Sequence, residues 1–307
     1  MKALVYSDFG GNDRFEITER EKPHNGPDTL VVRVVAAGIN PVDYKIREGY
    51  LRGVIDTRLP AIPGWDVAGV VEQTGLDTPE FAVGDAVLAY ARADVVEHGS
   101  IAEFVPVPVR TAAHKPDGLS FEQAAALPLT GLTALQALER AGVHEGQTVL
   151  IHGAAGGVGS IGVQLAVRRG ARVVGTASER NHDYLRELGA EPVRYGDGLA
   201  DAARALAPEG FDVIVDFAGG ASLDSTPALL ADGGTVVSIA DPRARTEFGG
   251  HYLWVRPDAA QLAELAQLAA DGDLRVEIAA TYPLDEAAAA YAALEEGHTR
   301  GKIVVTV

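Results

Sequence analysis

The run Thr148-Val149-Leu150-Ile151-His152 passes directly into Gly153-Ala154-Ala155-Gly156-Gly157-Val158-Gly159, and an apolar-periodic stretch holding Ile161, Leu165 and Ala166 follows. Residues of these types in this order can bind a pyrophosphate. Glycines let the backbone turn sharply and come close to the phosphates. The N-terminus of the next helix then offers N–H groups and the positive end of its dipole. A glycine cluster alone is a common turn, so the surrounding elements decide. A second apolar run, Ala171 to Ala177, follows one helix later. A third, Phe211 to Phe217, ends at Ala218-Gly219-Gly220, and a fourth spans Gly234 to Ile239. Strands alternating with helices predict a parallel doubly wound sheet. The predicted cofactor contacts on the turn are Gly153, Ala155, Gly156, Gly157, Val158 and Gly159. Backbone at Phe217-Ala218 and Ser238-Ile239, where the third and fourth strands end, is expected to face ribose and carboxamide.

The end of the second strand selects the nucleotide. An acidic residue there holds the ribose hydroxyls of NAD. Here that position falls at Ser178, followed by Glu179 and Arg180. A carboxylate would repel a 2′-phosphate, whereas a hydroxyl and a guanidinium hold one through charge-assisted bonds. NADPH is therefore the expected cofactor, bound by Ser178 and Arg180. Glu179 is read two ways, pointing away or serving the ribose. The plainer reading of the segment is that Ser178 or Asn181 caps a helix and Arg180 is a surface charge.

At 307 residues the chain has room for two domains. Its 47% apolar content suits a globular protein, and no apolar run is long enough to span a membrane. The start, Met1 to Tyr6, reads as a strand rather than a signal peptide. There is no cysteine, so disulfides and thiolate metal sites are excluded. A net charge of −17 disfavours nucleic acid and anionic membranes. The expected setting is the cytoplasm, without nucleic-acid or membrane partners. The alanine-rich segment Asp285 to Leu294 predicts a helix, and Leu132 to Arg140 predicts another.

Before the glycine turn, short apolar runs (Thr29 to Ala37, Ala68 to Gln73, Ala86 to Tyr90, Ile101 to Val107) alternate with Gly, Pro and Asp turn signals, an all-β pattern. Several segments then fall in a familiar order. Asn40-Pro41-Val42-Asp43-Tyr44-Lys45-Ile46-Arg47-Glu48-Gly49 comes first, then Pro63-Gly64-Trp65-Asp66-Val67-Ala68-Gly69 and Phe81-Ala82-Val83-Gly84-Asp85. Leu127-Pro128-Leu129-Thr130-Gly131, the glycine turn and Gly301-Lys302-Ile303-Val304 complete the series. Together they resemble the medium-chain dehydrogenase/reductase superfamily, and within it the zinc-free quinone oxidoreductase branch that includes zeta-crystallin and the 2-alkenal reductases. The resemblance implies an α/β protein: a GroES-like β domain (1–115 and 285–307) around an inserted Rossmann domain (116–284), with the active site in the cleft between them. Arg275 to Ile278 is expected to close the Rossmann sheet, and Lys302 to Val307 to return to the first domain. Gly64-Trp65-Asp66 stands where the zinc branch has Gly-His-Glu, so no catalytic zinc is expected.

Without a metal, an already electrophilic carbon can still accept hydride while a hydrogen bond steadies the developing oxyanion. The resemblance implies reduction of quinones or α,β-unsaturated carbonyls. It makes Asn40 an amide donor near nicotinamide or substrate, Asp43 an organiser, and Thr130 a neighbour of the nicotinamide. Lys45 stands where quinone reductases often have tyrosine and alkenal-reductase-like members have lysine, which favours enones. Lys45 and Tyr50 are the candidate oxyanion donors. Against these stand plainer roles: Thr130 as a helix cap, Lys45 as a surface amine, Tyr44 and Tyr50 as packing residues, and His152 as a structural histidine. Tyr252 and Trp254 line either a pocket or the interface of the expected homodimer. The alternatives to a quinone or enone reductase are an enoyl-thioester or biosynthetic tailoring reductase, and a non-catalytic NADPH-binding protein.

Overall fold

The apolar runs read as buried strands form a six-stranded, all-parallel sheet in the computed structural model, which describes residues 1–297 and 299–307. Its order is Glu191–Arg194, Arg172–Ala177, Thr148–His152, Phe211–Asp216, Leu230–Ser238 and His251–Tyr252. Numbered by sequence this is 3-2-1-4-5-6, the doubly wound order that reverses beside the first strand, where such sheets bind nucleotides. Both faces are covered, so its central strands are apolar almost without interruption. Leu150, Val174, Phe211, Ile214 and Val236 pack in one core.

A seven-stranded mixed sheet forms the other half. Its path runs Ile278–Pro283, Lys302–Thr306, Thr29–Gly38, Asp66–Gln73, Ala86–Tyr90, Ala112–His114, and Phe104–Pro108 also pairs with Thr29–Gly38. Strand Lys302–Thr306 lies antiparallel to Thr29–Gly38, so the segment expected to return to the first domain joins its sheet. The expected closure of the Rossmann sheet by Arg275 to Ile278 is corrected. The strand there starts at Ile278 and pairs in parallel with Lys302–Thr306 in the mixed sheet. Its alternating half-buried and exposed residues suit an edge rather than a doubly covered strand. The Rossmann edge is instead the two-residue strand His251–Tyr252, too short to carry a periodic signal.

Contacts divide the chain into two units, Met1–Leu129 with Pro257–Val307, and Thr130–Arg256. The boundaries expected at 115/116 and 284/285 both fall inside the first unit. The helix Phe121–Ala126 lies against strand Thr29–Gly38, where a Cβ on Gly38 would sit 2.4 Å from the Ala125 carbonyl oxygen. The helix Ala259–Ala270 packs on strand Ala112–His114. Among the described residues no helix is long and apolar enough to cross a membrane.

Candidate functional site

In the second unit the glycine turn has the geometry of a phosphate cradle. Strand Thr148–His152 ends at Gly153, whose φ of +69° is the left-handed region open to glycine. The turn is pinned from the neighbouring strand: Gly153 N–H donates to Thr176 Oγ1 at 3.1 Å, and Ala154 N–H to the Thr176 carbonyl at 3.1 Å. Gly156 is the N-cap of the helix Gly157–Arg168, whose first turn leaves N–H groups without intrahelical partners. The helix passes so close to the turn that a Cβ on Gly159 would lie 2.1 Å from the Gly153 carbonyl oxygen. Gly153, Ala155, Gly156, Gly157, Val158 and Gly159 are thus brought together at one helix start, and the cradle fits a pyrophosphate.

At the end of strand Arg172–Ala177, Ser178 is half-buried and Arg180 exposed. Ser178 caps the short 3-10 turn Glu179–Asn181 by position only; its hydroxyl accepts from Asn181 Nδ2 at 3.3 Å. Glu179 is drawn to Arg194, 3.6 Å away. Arg194 is the register partner of Ala177 on the adjacent strand. The acid thus has its own counter-ion beside a strand end lined by Ser178 and Arg180.

Two further strand ends are tied together by Asp216. Its Oδ1 accepts from the Ala218 and Gly219 N–H groups and the Ser222 hydroxyl, and its Oδ2 from the Ser238 hydroxyl at 2.7 Å. Ser238 Oγ accepts in turn from the N–H groups of Ala240 and Asp241. Arg243 clasps the same loops, reaching Asp241, Asp224 and the Gly220 carbonyl. Phe217, Ala218, Ser238 and Ile239 therefore sit in fixed turns. The Ser238 side chain is the link between them. His152 is a structural histidine: 1% exposed, with Nε2 unpartnered and burial pushing its pKa down to about 4 against the pull of Asp216.

In the first unit the helix Pro41–Arg47 starts from Asn40, whose N–H donates to the Asp43 carboxylate at 2.8 Å. Tyr291 OH donates to the same oxygen at 3.1 Å. The Asn40 amide is enclosed. Its Nδ2 donates to Asp66 Oδ2 at 2.9 Å, and its Oδ1 accepts from Lys302 Nζ at 2.6 Å. Lys302 also donates to the Ile39 carbonyl at 2.6 Å and lies 3.6 Å from Asp66. The other oxygen of Asp66 accepts from Leu129 N–H at 2.9 Å. Burial pushes the Asp43 carboxyl up to about 7 and raises Asp66, with Lys302 opposing both; burial lowers Lys302, with Asp66 and Asp43 opposing.

Asn40, expected as an amide donor near nicotinamide or substrate, is 1% exposed, and its amide bonds to Asp66 and Lys302 inside the protein. Asp43 ties the start of its helix to Tyr291 through one carboxylate oxygen. Lys45 is exposed and Tyr50 is 76% exposed, so the structure does not bring either side chain into this cluster. Thr130 is buried inside the helix Pro128–Ala141, so it is no cap; the helix begins earlier than expected because Pro128 suits its first position. Lys302, Asp66, Tyr291 and Thr176 were missed as site-builders. The signal for the first two was present: a charge set in apolar strand sequence, as in Lys302-Ile303-Val304-Val305 and Trp65-Asp66-Val67-Ala68.

Residues 26–117 match the family model of the alcohol dehydrogenase GroES-like domain, and residues 188–305 that of the zinc-binding dehydrogenase. The chain is 34% identical over 316 residues to the chloroplastic NADPH-dependent alkenal/one oxidoreductase of Arabidopsis thaliana, covering 99% of this chain and 79% of that protein. The chain belongs to the medium-chain dehydrogenase/reductase superfamily. Among solved members, the quinone oxidoreductase of Coxiella burnetii superposes with a TM-score of 0.89 at 34% identity, covering 100% of this chain and 99% of that one. A mycobacterial member solved in complex with NADPH superposes with a TM-score of 0.87 at 28% identity, covering 100% of both chains.

The superfamily's zinc-binding members raise the question whether this chain fits the metal. Its donor chemistry does not. The chain has no thiolate, and among the described residues no group of three His, Asp or Glu side chains is placed to hold an ion. Asp66, at the position of the zinc branch's glutamate, is already paired with the Lys302 ammonium.

Proposed function

We propose that this chain is a zinc-independent reductase that delivers hydride from NADPH to the electrophilic carbon of quinones and α,β-unsaturated carbonyls. It is an oxidoreductase, and its cofactor is NADPH. The observation that carries the reading is the braced glycine turn beside a strand end where Ser178 and Arg180 replace an acid and Glu179 is drawn to Arg194.

In this reading the turn 153–159 and the start of helix Gly157–Arg168 receive the pyrophosphate. Ser178 and Arg180 receive the 2′-phosphate. Phe217, Ala218, Ser238 and Ile239 orient the ribose and carboxamide, held in place by Asp216. NADPH, when bound, supplies the hydride. Thr130 lies beside the nicotinamide, and Lys45 and Tyr50 are the candidate donors to the substrate oxygen, where a hydrogen bond that strengthens with charge lowers the barrier. Asn40 and Asp43 act by holding the turn that starts helix Pro41–Arg47. We place the protein in the cytoplasm as a homodimer, joined through the edge strand His251–Tyr252, whose Tyr252 and nearby Trp254 are each 37% exposed.

The test is NADPH consumption with a panel of quinones, enones and enoyl thioesters, using NADPH deuterated at C4. Oxidation by a quinone, or deuterium in a reduced enone, is the expected result. Turnover of enoyl thioesters alone would favour a tailoring reductase. NADPH binding with no turnover of any acceptor would make the chain a binding protein. In the same assay Lys45→Ala and Tyr50→Phe should lower turnover more than they weaken substrate binding; wild-type rates in both would remove them from the mechanism.

A further inference from the structure

Lys302 is 5% exposed, and its ammonium has three polar neighbours: the Ile39 carbonyl, Asn40 Oδ1 and the Asp66 carboxylate. An asparagine amide can sit in two orientations that differ by exchange of O and N. Here only one is compatible with its surroundings. Turned over, the amide would set its NH2 against an ammonium and its oxygen against a carboxylate, both repulsive and both away from water. Lys302 and Asp66 therefore fix the Asn40 side chain from opposite sides.

The contact does not stop at Asn40. Asp66 spends its second oxygen on the Leu129 N–H, in the first turn of helix Pro128–Ala141. A carboxylate there satisfies an N–H that the helix cannot and complements its dipole. Thr130 is the next residue. The approach of Lys302 is set by backbone: Gly301 has φ +80°, and a Cβ there would lie 2.3 Å from the Glu277 carbonyl oxygen. Lys302 N–H then donates to that same carbonyl at 2.9 Å. The charged groups facing Lys302 are Asp66 and Asp43.

We propose that Lys302 is a positioning residue for the reduction: through Asn40 and Asp66 it fixes the start of helix Pro128–Ala141 and so the placement of Thr130. This rests on the function proposed above, in which Thr130 borders the nicotinamide. Lys302 touches neither cofactor nor substrate. Its part is to make a buried turn, a buried carboxylate and a helix start into one rigid piece, and displacement of a reacting group by about 1 Å can cost on the order of a hundredfold in rate.

Lys302→Met alone leaves Asp66 buried and uncompensated, which can prevent folding. The informative protein is Lys302→Met/Asp66→Asn, which removes both charges. Asparagine-selective 15N labelling of side-chain amides gives four pairs of signals, from Asn12, Asn25, Asn40 and Asn181, and Asn40→Ser identifies the one to follow. The expected result is a folded double variant with wild-type NADPH affinity, a shifted or broadened Asn40 signal, and kcat lowered about tenfold to a hundredfold at little change in KM. A folded double variant with the wild-type Asn40 signal, or with wild-type kcat, would reduce Lys302 to a charge partner of Asp66 and overturn the proposal. Should that variant not fold, Lys302→Arg keeps the charge, moves the donor atoms and is judged by the same two criteria. Absence of turnover by the unmodified protein would defeat the function and with it the role in catalysis; the Asn40 signal would still report separately whether Lys302 holds the amide.

Discussion

At the scale of single residues, Arg180, Asp43 and His152 set sharp expectations. Ser178 and Arg180 stand at the strand end where an acid would select NAD. Arg180→Ala should weaken NADPH by about 1–3 kcal/mol, the range of a charge-assisted bond, and leave NADH nearly unchanged. Titration of both cofactors checks it, and equal losses would remove Arg180 from the 2′-phosphate site. Asp43 and His152 make opposite statements about pH. Burial pushes the Asp43 carboxyl up to about 7, whereas an unfolded aspartate titrates near 4. Between those values the folded state keeps a proton the unfolded chain has lost, so stability falls as pH rises. Burial lowers His152 to about 4, against about 6.5 when unfolded, so stability falls as pH drops through that window. Urea denaturation at about pH 5 and pH 7 should show Asp43→Asn gaining on the wild type at the higher pH, and His152→Gln gaining at the lower. The motif around Asn40 and Asp43 was legible in the sequence. What the amide of Asn40 bonds to was not, because Lys302 and Asp66 are brought to it by strand pairing that no local pattern records.

Elements were legible in proportion to how much apolar surface they bury. The parallel strands declare themselves as unbroken apolar runs, and the glycine turn declares both its bend and the helix beyond. His251–Tyr252 has two residues and no period, and Ile278–Pro283 alternates weakly at an edge, so its sheet was misassigned. Thr176, one strand over, braces the turn through register, and register is a property of two segments at once. Within the turn, the two glycines Gly156 and Gly159 should respond differently to a methyl group. On Gly159 a Cβ would meet the Gly153 carbonyl oxygen at 2.1 Å, so backbone must move. Gly159→Ala should cost about 1–3 kcal/mol of stability and weaken NADPH as well. On Gly156 the same atom lies at 3.4 Å, an ordinary contact. Gly156→Ala should keep stability and lose NADPH affinity, because the methyl group occupies space the phosphates approach. Thermal melts with NADPH titration separate the two; a destabilised Gly156→Ala protein would contradict the geometry.

Across the whole molecule, the absence of cysteine and a net charge of −17 constrain chemistry more than shape. Turnover should survive exhaustive chelation, and elemental analysis should find no stoichiometric zinc; activity lost to a chelator and restored by zinc would reverse that reading. The way the chain is threaded has a consequence for its birth. Lys302 closes on Ile39 across 263 residues, and strand Lys302–Thr306 supplies a neighbour to Thr29–Gly38. The unit Thr130–Arg256, by contrast, is one uninterrupted stretch. On a ribosome adding roughly 5–20 residues per second, the early sheet waits on the order of 10–50 s for its last inner strand while the nucleotide-binding unit is already whole. Its exposed strand edge is the part of the nascent protein a chaperone has reason to meet. Stalled chains ending before Gly301 should show a protease-resistant 130–256 core and a digestible first unit, and resistance should extend to that unit once Lys302–Thr306 has emerged.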